Sequence, residues 1–136
     1  MSYISRNLET VVENVTREYP VVLVTGPRQV GKTTMLQKLM KNHPRSYVTL
    51  DDLTERDLAK NDPELFLQLH KPPILIDEVQ YAPELFTYIK IYVDSHQEPG
   101  AFWLTGSQIF KLMRGVQESL AGRVAVLSMT SLSQSE

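Results

Sequence analysis

Eight consecutive residues, Gly26-Pro27-Arg28-Gln29-Val30-Gly31-Lys32-Thr33, constrain the fold of this chain more than any other stretch. They fit the pattern G-x-x-x-x-G-K-[ST] without a mismatch, and that pattern has meaning only between a buried strand and the start of a helix. Both flanks are present. Val21-Val22-Leu23-Val24-Thr25 is an apolar, β-branched run of strand length, and residues 33–40 carry Met35, Leu36, Leu39 and Met40 at helical spacing. The consequence is an anion site: two glycines let backbone N–H groups turn inward, and the following helix presents its positive end. Lys32 adds a mobile cation, and Thr33 places a hydroxyl where a phosphate-bound magnesium ion needs an oxygen ligand. A plain glycine turn would need neither side chain. Gly26, Pro27, Arg28, Gln29, Val30, Gly31, Lys32, Thr33 and Thr34 are therefore the expected nucleotide-phosphate contacts.

Outward from the loop, helical and strand signals alternate. Leu8, Val11, Val12 and Val15 recur at i, i+3, i+4 and i+7, which predicts an amphipathic helix over residues 5–18, stopped by Pro20. Ile4 and Arg6, beside its start, are candidate neighbours of an adenine base, with ordinary packing as the plainer alternative. Residues 46–50 predict a second strand running into Asp51-Asp52. Residues 54–60 and 63–70 predict two short helices, the second capped by Asp62 with Pro63 at its first position. Ile74-Leu75-Ile76 is an uninterrupted apolar run, typical of a strand buried on both faces, and it ends abruptly in Asp77-Glu78. Pro83 opens a helix with Leu85, Ile89, Tyr92 and Val93 on one face; residues 101–105 form a fourth strand. A further helix reaches about Ala121, and residues 124–127 make a fifth strand before a polar, Ser-rich stretch. This alternation implies an α/β fold with a parallel sheet covered by helices and its ligand at the carboxyl ends of the strands. Gly26, Asp51, Asp77 and Ser107 all fall at such ends, so separate strand tips converge on one crevice.

Composition narrows the function classes. At 136 residues, 42% hydrophobic and 22% charged, the chain suits one folded domain and is short for a nucleotide motor with accessory parts. Its net charge is −2, from 14 basic and 16 acidic residues without a dense Lys/Arg block, so this segment carries no electrostatic footprint for nucleic acid. Cysteine is absent, which excludes disulfides, thiolate ligands and Cys nucleophiles. His43, His70 and His96 lack metal-ligand spacing and are read as surface or loop residues. No apolar run approaches the roughly 20 residues that span a bilayer, so no membrane partner and a cytoplasmic location are expected.

Phosphoryl transfer to water needs neutralised phosphates and an oriented water rather than a covalent nucleophile. Two adjacent carboxylates at a strand tip divide those tasks: Asp77 is assigned to hold the magnesium ion through its waters, and Glu78 to act as general base. Ser107 follows the fourth strand and is the candidate sensor of the terminal phosphate, or alternatively a helix cap; Thr105 is a weaker candidate for that task. Asp51 and Asp52 are as well explained by capping or strand termination as by metal contact.

The phosphate loop through Thr34, Ile76-Asp77-Glu78-Val79-Gln80 with Ala82-Pro83, Leu104-Thr105-Gly106-Ser107-Gln108 and Glu118-Ser119-Leu120-Ala121-Gly122-Arg123 together resemble the AAA14 group of AAA+ ATPases. The resemblance covers nearly the whole chain. It implies a three-layer P-loop NTPase with five parallel strands in the order 5-1-4-3-2, ATP rather than GTP as the nucleotide, and Mg2+ as cofactor. It also implies Lys32 and Thr33 as phosphate and magnesium residues, Asp77 and Glu78 as the acidic pair, and Ser107 as sensor. Arg123 stands where such proteins carry an arginine that serves a neighbouring subunit's nucleotide, which implies a homo-oligomer; Arg114 is the reserve. The helical lid and the DUF4143 domain of that family lie outside residues 1–136, so the expectation is a single truncated ATPase core. The favoured function is magnesium-dependent ATP hydrolysis coupled to conformational change in attached domains. The alternative is a nucleotide-gated switch for a protein or DNA partner. A small-molecule kinase would need an acceptor site and an arginine-rich lid, which the sequence does not supply.

Overall fold

The computed structural model describes residues 2–28, 30–107 and 109–129, the side chains of residues 2–7 and 109 excepted. Gln29 of the phosphate loop and the side chains of Ile4 and Arg6 lie outside the described residues. In chain order the elements are α1 (Ser2–Val15), β1 (Val21–Thr25), α2 (Lys32–Leu39), β2 (Ser46–Thr49), α3 (Leu53–Asn61), α4 (Pro63–Leu69) and β3 (Ile74–Asp77). A short 3₁₀ turn over Val79–Tyr81 leads to α5 (Leu85–His96), β4 (Phe102–Gly106), α6 (Ile109–Ser119) and β5 (Val124–Ser128).

The strands form one parallel sheet in the order β2-β3-β4-β1-β5, which is the implied order read from the opposite edge. Side chains alternate across it, as the two-residue strand period requires. Val21, Leu23, Ile74, Ile76, Phe102 and Leu104 face a core completed by Phe66, Leu85, Phe86, Ile89, Leu112 and Val116 from α4, α5 and α6. Val22, Val24, Leu75 and Trp103 face the other way, onto Val12 of α1 and Met35, Leu36 and Leu39 of α2. The result is a three-layer sandwich. Each fully buried aliphatic or aromatic side chain contributes roughly 1.5–3 kcal/mol, so β1, β3 and β4, buried at every residue, anchor the sheet.

Element boundaries differ locally from the sequence expectation. α1 ends at Val15 rather than residue 18, because Glu18 and Tyr19 both donate backbone N–H bonds to the Val15 carbonyl, and a residue before proline disfavours helix. Its Thr16 is then free to accept a hydrogen bond from the Trp103 indole at 2.9 Å. α6 stops at Ser119, so Arg123 lies in the turn before β5 rather than in the helix. Asp62 caps α4 through the Leu65 N–H at 3.1 Å with Pro63 in the first turn, as expected. His43 and His70 lie outside the helices and strands, as expected, and make contacts there: His43 lies beside Trp103, and His70 bonds Glu55 at 2.8 Å and packs on Phe66.

Candidate functional site

The carboxyl ends of β1, β3 and β4 bring the loop and the acidic pair together. Gly26 adopts φ +151°, and a Cβ there would collide with the Met129 carbonyl, so only glycine lets β1 leave the sheet beneath the chain that exits β5. Gly31 caps α2 in the left-handed region, φ +93°, which turns the loop onto the helix N-terminus. Lys32 is buried, and its Nζ donates to the Gly26 and Pro27 carbonyls, each at 2.9 Å. Burial lowers its pKa, opposed by the charges of Glu78 and Asp77. A desolvated ammonium with one proton uncommitted to these carbonyls is well suited to an anion.

Asp77 ends β3 with both carboxylate oxygens engaged. Oδ1 accepts from Thr33 at 2.5 Å and Thr105 at 2.6 Å, and Oδ2 accepts from Thr49 at 3.0 Å and Tyr47 at 3.5 Å. Four hydroxyls from β2, β4 and α2 therefore fix one carboxylate. Glu78, the next residue, is built differently. Its backbone is left-handed, φ 58° and ψ 51°, which costs a non-glycine residue about 1–2 kcal/mol. Its N–H donates to Thr105 at 2.9 Å, and its Oε1 accepts from Gln80 at 2.8 Å and Ser107 at 2.9 Å. Such strain persists only where neighbours over-determine it, and it concentrates at functional sites.

A cavity of about 200 Å³ lies between these groups, lined by Arg28, Gly31, Lys32, Thr33, Thr34 and Glu78. It is smaller than the roughly 300–1,000 Å³ of a whole small-molecule site, and its walls come from the loop, the start of α2 and Glu78. Two larger clefts, about 470 and 500 Å³, lie near α5 and away from the loop. They converge on no comparable set of buried polar groups.

Of the expected site residues, Lys32, Thr33, Asp77, Glu78 and Ser107 are thus gathered around one cavity edge. Ser107 turns its hydroxyl to Glu78. Thr105 bonds Asp77 and the Glu78 backbone, which places it inside the acidic pair's support. Asp52 caps α3, whereas Asp51 comes within 4.8 Å of Asp77 and Glu78, measured between carboxylate oxygens. Arg123 stands at the other end of the sheet, where Nε and Nη2 clamp Asp94 at 2.7 and 3.0 Å. Arg114 is exposed and faces Glu118 at 4.0 Å.

Sequence reasoning missed Thr49 and Gln80. Thr49 is the register partner of Asp77, so the strand order together with the ladder would have found it. Gln80 is buried at 1% exposure and also bonds Ser107 through Nε2 at 3.2 Å; a polar residue just past an acidic strand tip was its only signal.

The parallel sheet in this order, with a phosphate loop after β1 and an acidic pair after β3, defines a nucleotide-binding domain of the P-loop ATPase class. The chain belongs to the AAA_14 family of AAA domains, whose model matches residues 18–136. Two curated relatives, uncharacterized proteins of Mycobacterium tuberculosis and Mycobacterium bovis, are each 40% identical over 114 residues, which is 83% of this chain and 25% of theirs. The chain thus spans about a quarter of the length of these relatives. Among solved structures, the Walker-type ATPase PABY2304 of Pyrococcus abyssi superposes with a TM-score of 0.64 at 18% identity, covering 91% of this chain and 52% of that one. A DNA replication initiation factor does so with a TM-score of 0.57 at 17% identity, covering 90% and 44%. At those identities the likeness is one of fold. No helix among the described residues is long and apolar enough to cross a membrane.

Proposed function

We propose that this domain binds ATP with magnesium and hydrolyses it. The observation that carries this reading is the pair of adjacent carboxylates held in different ways beside the cavity that Lys32 and Thr33 line. Lys32 neutralises the terminal phosphates, and the N–H groups of the loop and the α2 N-terminus bind the remainder. The Thr33 hydroxyl and the Asp77 carboxylate, in direct contact, are hard oxygen donors of the kind that suits magnesium. Thr33 would ligate the ion, and Asp77 would hold it through water. When bound, magnesium neutralises phosphate charge during transfer.

Glu78 takes a proton from the attacking water. The water oxygen bonds to the terminal phosphorus as the bond from that phosphorus to the bridging oxygen breaks, and the bond's electrons leave with ADP. Ser107 and Gln80 position the Glu78 carboxylate, and through it Ser107 responds to the terminal phosphate. Arg123, which cannot reach its own loop from the opposite end of the sheet, is left to serve a neighbouring copy in a homo-oligomer. On this view residues 1–136 are the ATPase core of a longer cytoplasmic protein whose lid and DUF4143 domain receive the conformational change.

One observation favours a second reading, a nucleotide-gated switch for a protein or DNA partner. Glu78 Oε1 already accepts two hydrogen bonds, a state that slows proton abstraction and therefore turnover. Glu78→Gln in the full-length protein separates the two. Hydrolysis predicts a loss of roughly 10²–10⁴-fold in phosphate release with ATP binding retained. Unchanged release identifies the switch. Calorimetry with ATP and GTP, with and without magnesium, on wild type and Lys32→Ala tests the binding itself; affinity that survives Lys32→Ala unaltered would sink both.

A further inference from the structure

One side chain of the phosphate loop does more than the loop pattern asks of it. The pattern uses position 28 for its backbone, yet Arg28 turns its guanidinium back over the site. Nη2 donates to Asp51 Oδ1 at 3.0 Å and to the Tyr81 hydroxyl at 2.8 Å, and it stands 4.0 Å from Glu78 Oε1. Arg28 also lines the same cavity as Lys32 and Thr33. A second cation therefore borders the phosphate cavity from within the same chain.

The tether that holds it is asymmetric. Tyr81 is fixed from behind: the Arg56 guanidinium lies 3.8 Å over its ring, and Arg56 Nε is anchored on the Leu50 carbonyl at 2.8 Å. Asp51 is tied through its own N–H to the Thr49 hydroxyl at 3.1 Å. Arg28 and Asp51 are each about half exposed, 48% and 46% at the side chain, and ion pairs in water are worth only about 0–1 kcal/mol. A terminal phosphate with two negative charges and a matching oxygen fork outbids a screened single carboxylate for a guanidinium.

Resting on the ATP reading above, we propose that Arg28 is a catalytic residue acting in cis: Asp51 and Tyr81 hold its guanidinium beside the phosphate cavity, and it transfers to the terminal phosphate when ATP is bound. Arg28 gives up no proton and makes no covalent bond. Its charge balances the negative charge spread over the phosphoryl oxygens while the water–phosphorus bond forms and the bond to ADP breaks. The domain thereby carries its own charge-stabilising arginine, and a neighbour's Arg123 is not the sole supplier.

The test uses the full-length protein and compares wild type, Arg28→Gln, Asp51→Asn, the double variant of these two, and Lys32→Ala as a control for loss of phosphate binding. Three quantities are read: ADP affinity, affinity for ADP with aluminium fluoride as a mimic of the transferring phosphoryl group, and phosphate release. For Arg28→Gln, ADP affinity stays within about twofold, the ADP–aluminium fluoride complex is lost, and release falls about 10³-fold, the lower end for such arginines. Freeing the guanidinium with Asp51→Asn tightens ADP–aluminium fluoride by up to about fivefold, and this gain vanishes in the double variant. If Arg28→Gln binds ADP–aluminium fluoride as wild type does while Lys32→Ala loses it, the proposal fails and the ATP reading stands. Wild-type protein that binds neither ligand overturns both.

Discussion

The two ends of the sheet are built to opposite rules. At the amino end the large polar side chains are tied into closed contacts: the buried Trp103 donates to Thr16, and Arg45 lies 3.7 Å over the Trp103 ring while bonding the Gly100 carbonyl at 2.8 Å. Burial pushes the Arg45 pKa down to about 10, and Arg123 is clamped on Asp94. The carboxyl end gathers a buried lysine at the start of α2, a carboxylate under four hydroxyls, and a glutamate in the left-handed region. The amino end is satisfied and holds the fold. The carboxyl end holds a strained backbone and buried charge, and on the proposed function stability and chemistry occupy different ends of the same strands.

That division can be broken most forcefully at Trp103. Trp103→Ala is expected to cost about 3–5 kcal/mol in urea unfolding while leaving the ATP affinity of the folded fraction unchanged. A matching loss of affinity would mean that the two ends are not separable. At the other end, Gln80→Leu keeps size but strips the Glu78 and Ser107 contacts. Phosphate release should fall about tenfold, one 1.4 kcal/mol step, with KM for ATP little changed, as for a positioning residue. A shift in KM alone would assign Gln80 to substrate binding instead.

The smallest effect concerns Arg123. Its hydrogen bond holds the Asp94 carboxyl below the usual carboxylate range, so the folded pKa lies under the unfolded one. The pair's contribution is therefore present above the unfolded pKa of about 4 and fades as pH falls through the folded value. The melting-temperature gap between wild type and Arg123→Ala should narrow on acidification below about pH 4. A gap that widens would show that Arg123 stabilises by something other than this pair.

Much of the molecule was legible because two signals reinforced each other. The apolar runs at Val21 and Ile74 marked strands buried on both faces, and the phosphate loop fixed which strand came first and at which strand ends the candidate site residues gather. Lys32, Thr33, Asp77 and Glu78 followed from those tips. What was not legible depends on lateral neighbours. Thr49 is an ordinary strand-end threonine until β2 is known to flank β3, the bond from the candidate Thr105 to Asp77 depends on β4 lying on the other side, and the placement of Arg28 against Tyr81 depends on a 3₁₀ turn that no periodicity announces. The left-handed Glu78 carries no local mark at all, since glycine or asparagine is the usual occupant of that region.

Thr105 has a single hydroxyl proton and two partners. It takes the Glu78 N–H and gives its own proton to Asp77, and no other arrangement satisfies both contacts. The bridge is therefore polar and one-directional, running from the peptide of Glu78 to the side chain of Asp77, the residue before it. Whatever charge arrives at Asp77 changes the pull on that proton, and with it the hold on the backbone that aims Glu78. The Asp77 carboxylate and the Glu78 peptide are thus joined through one oxygen atom.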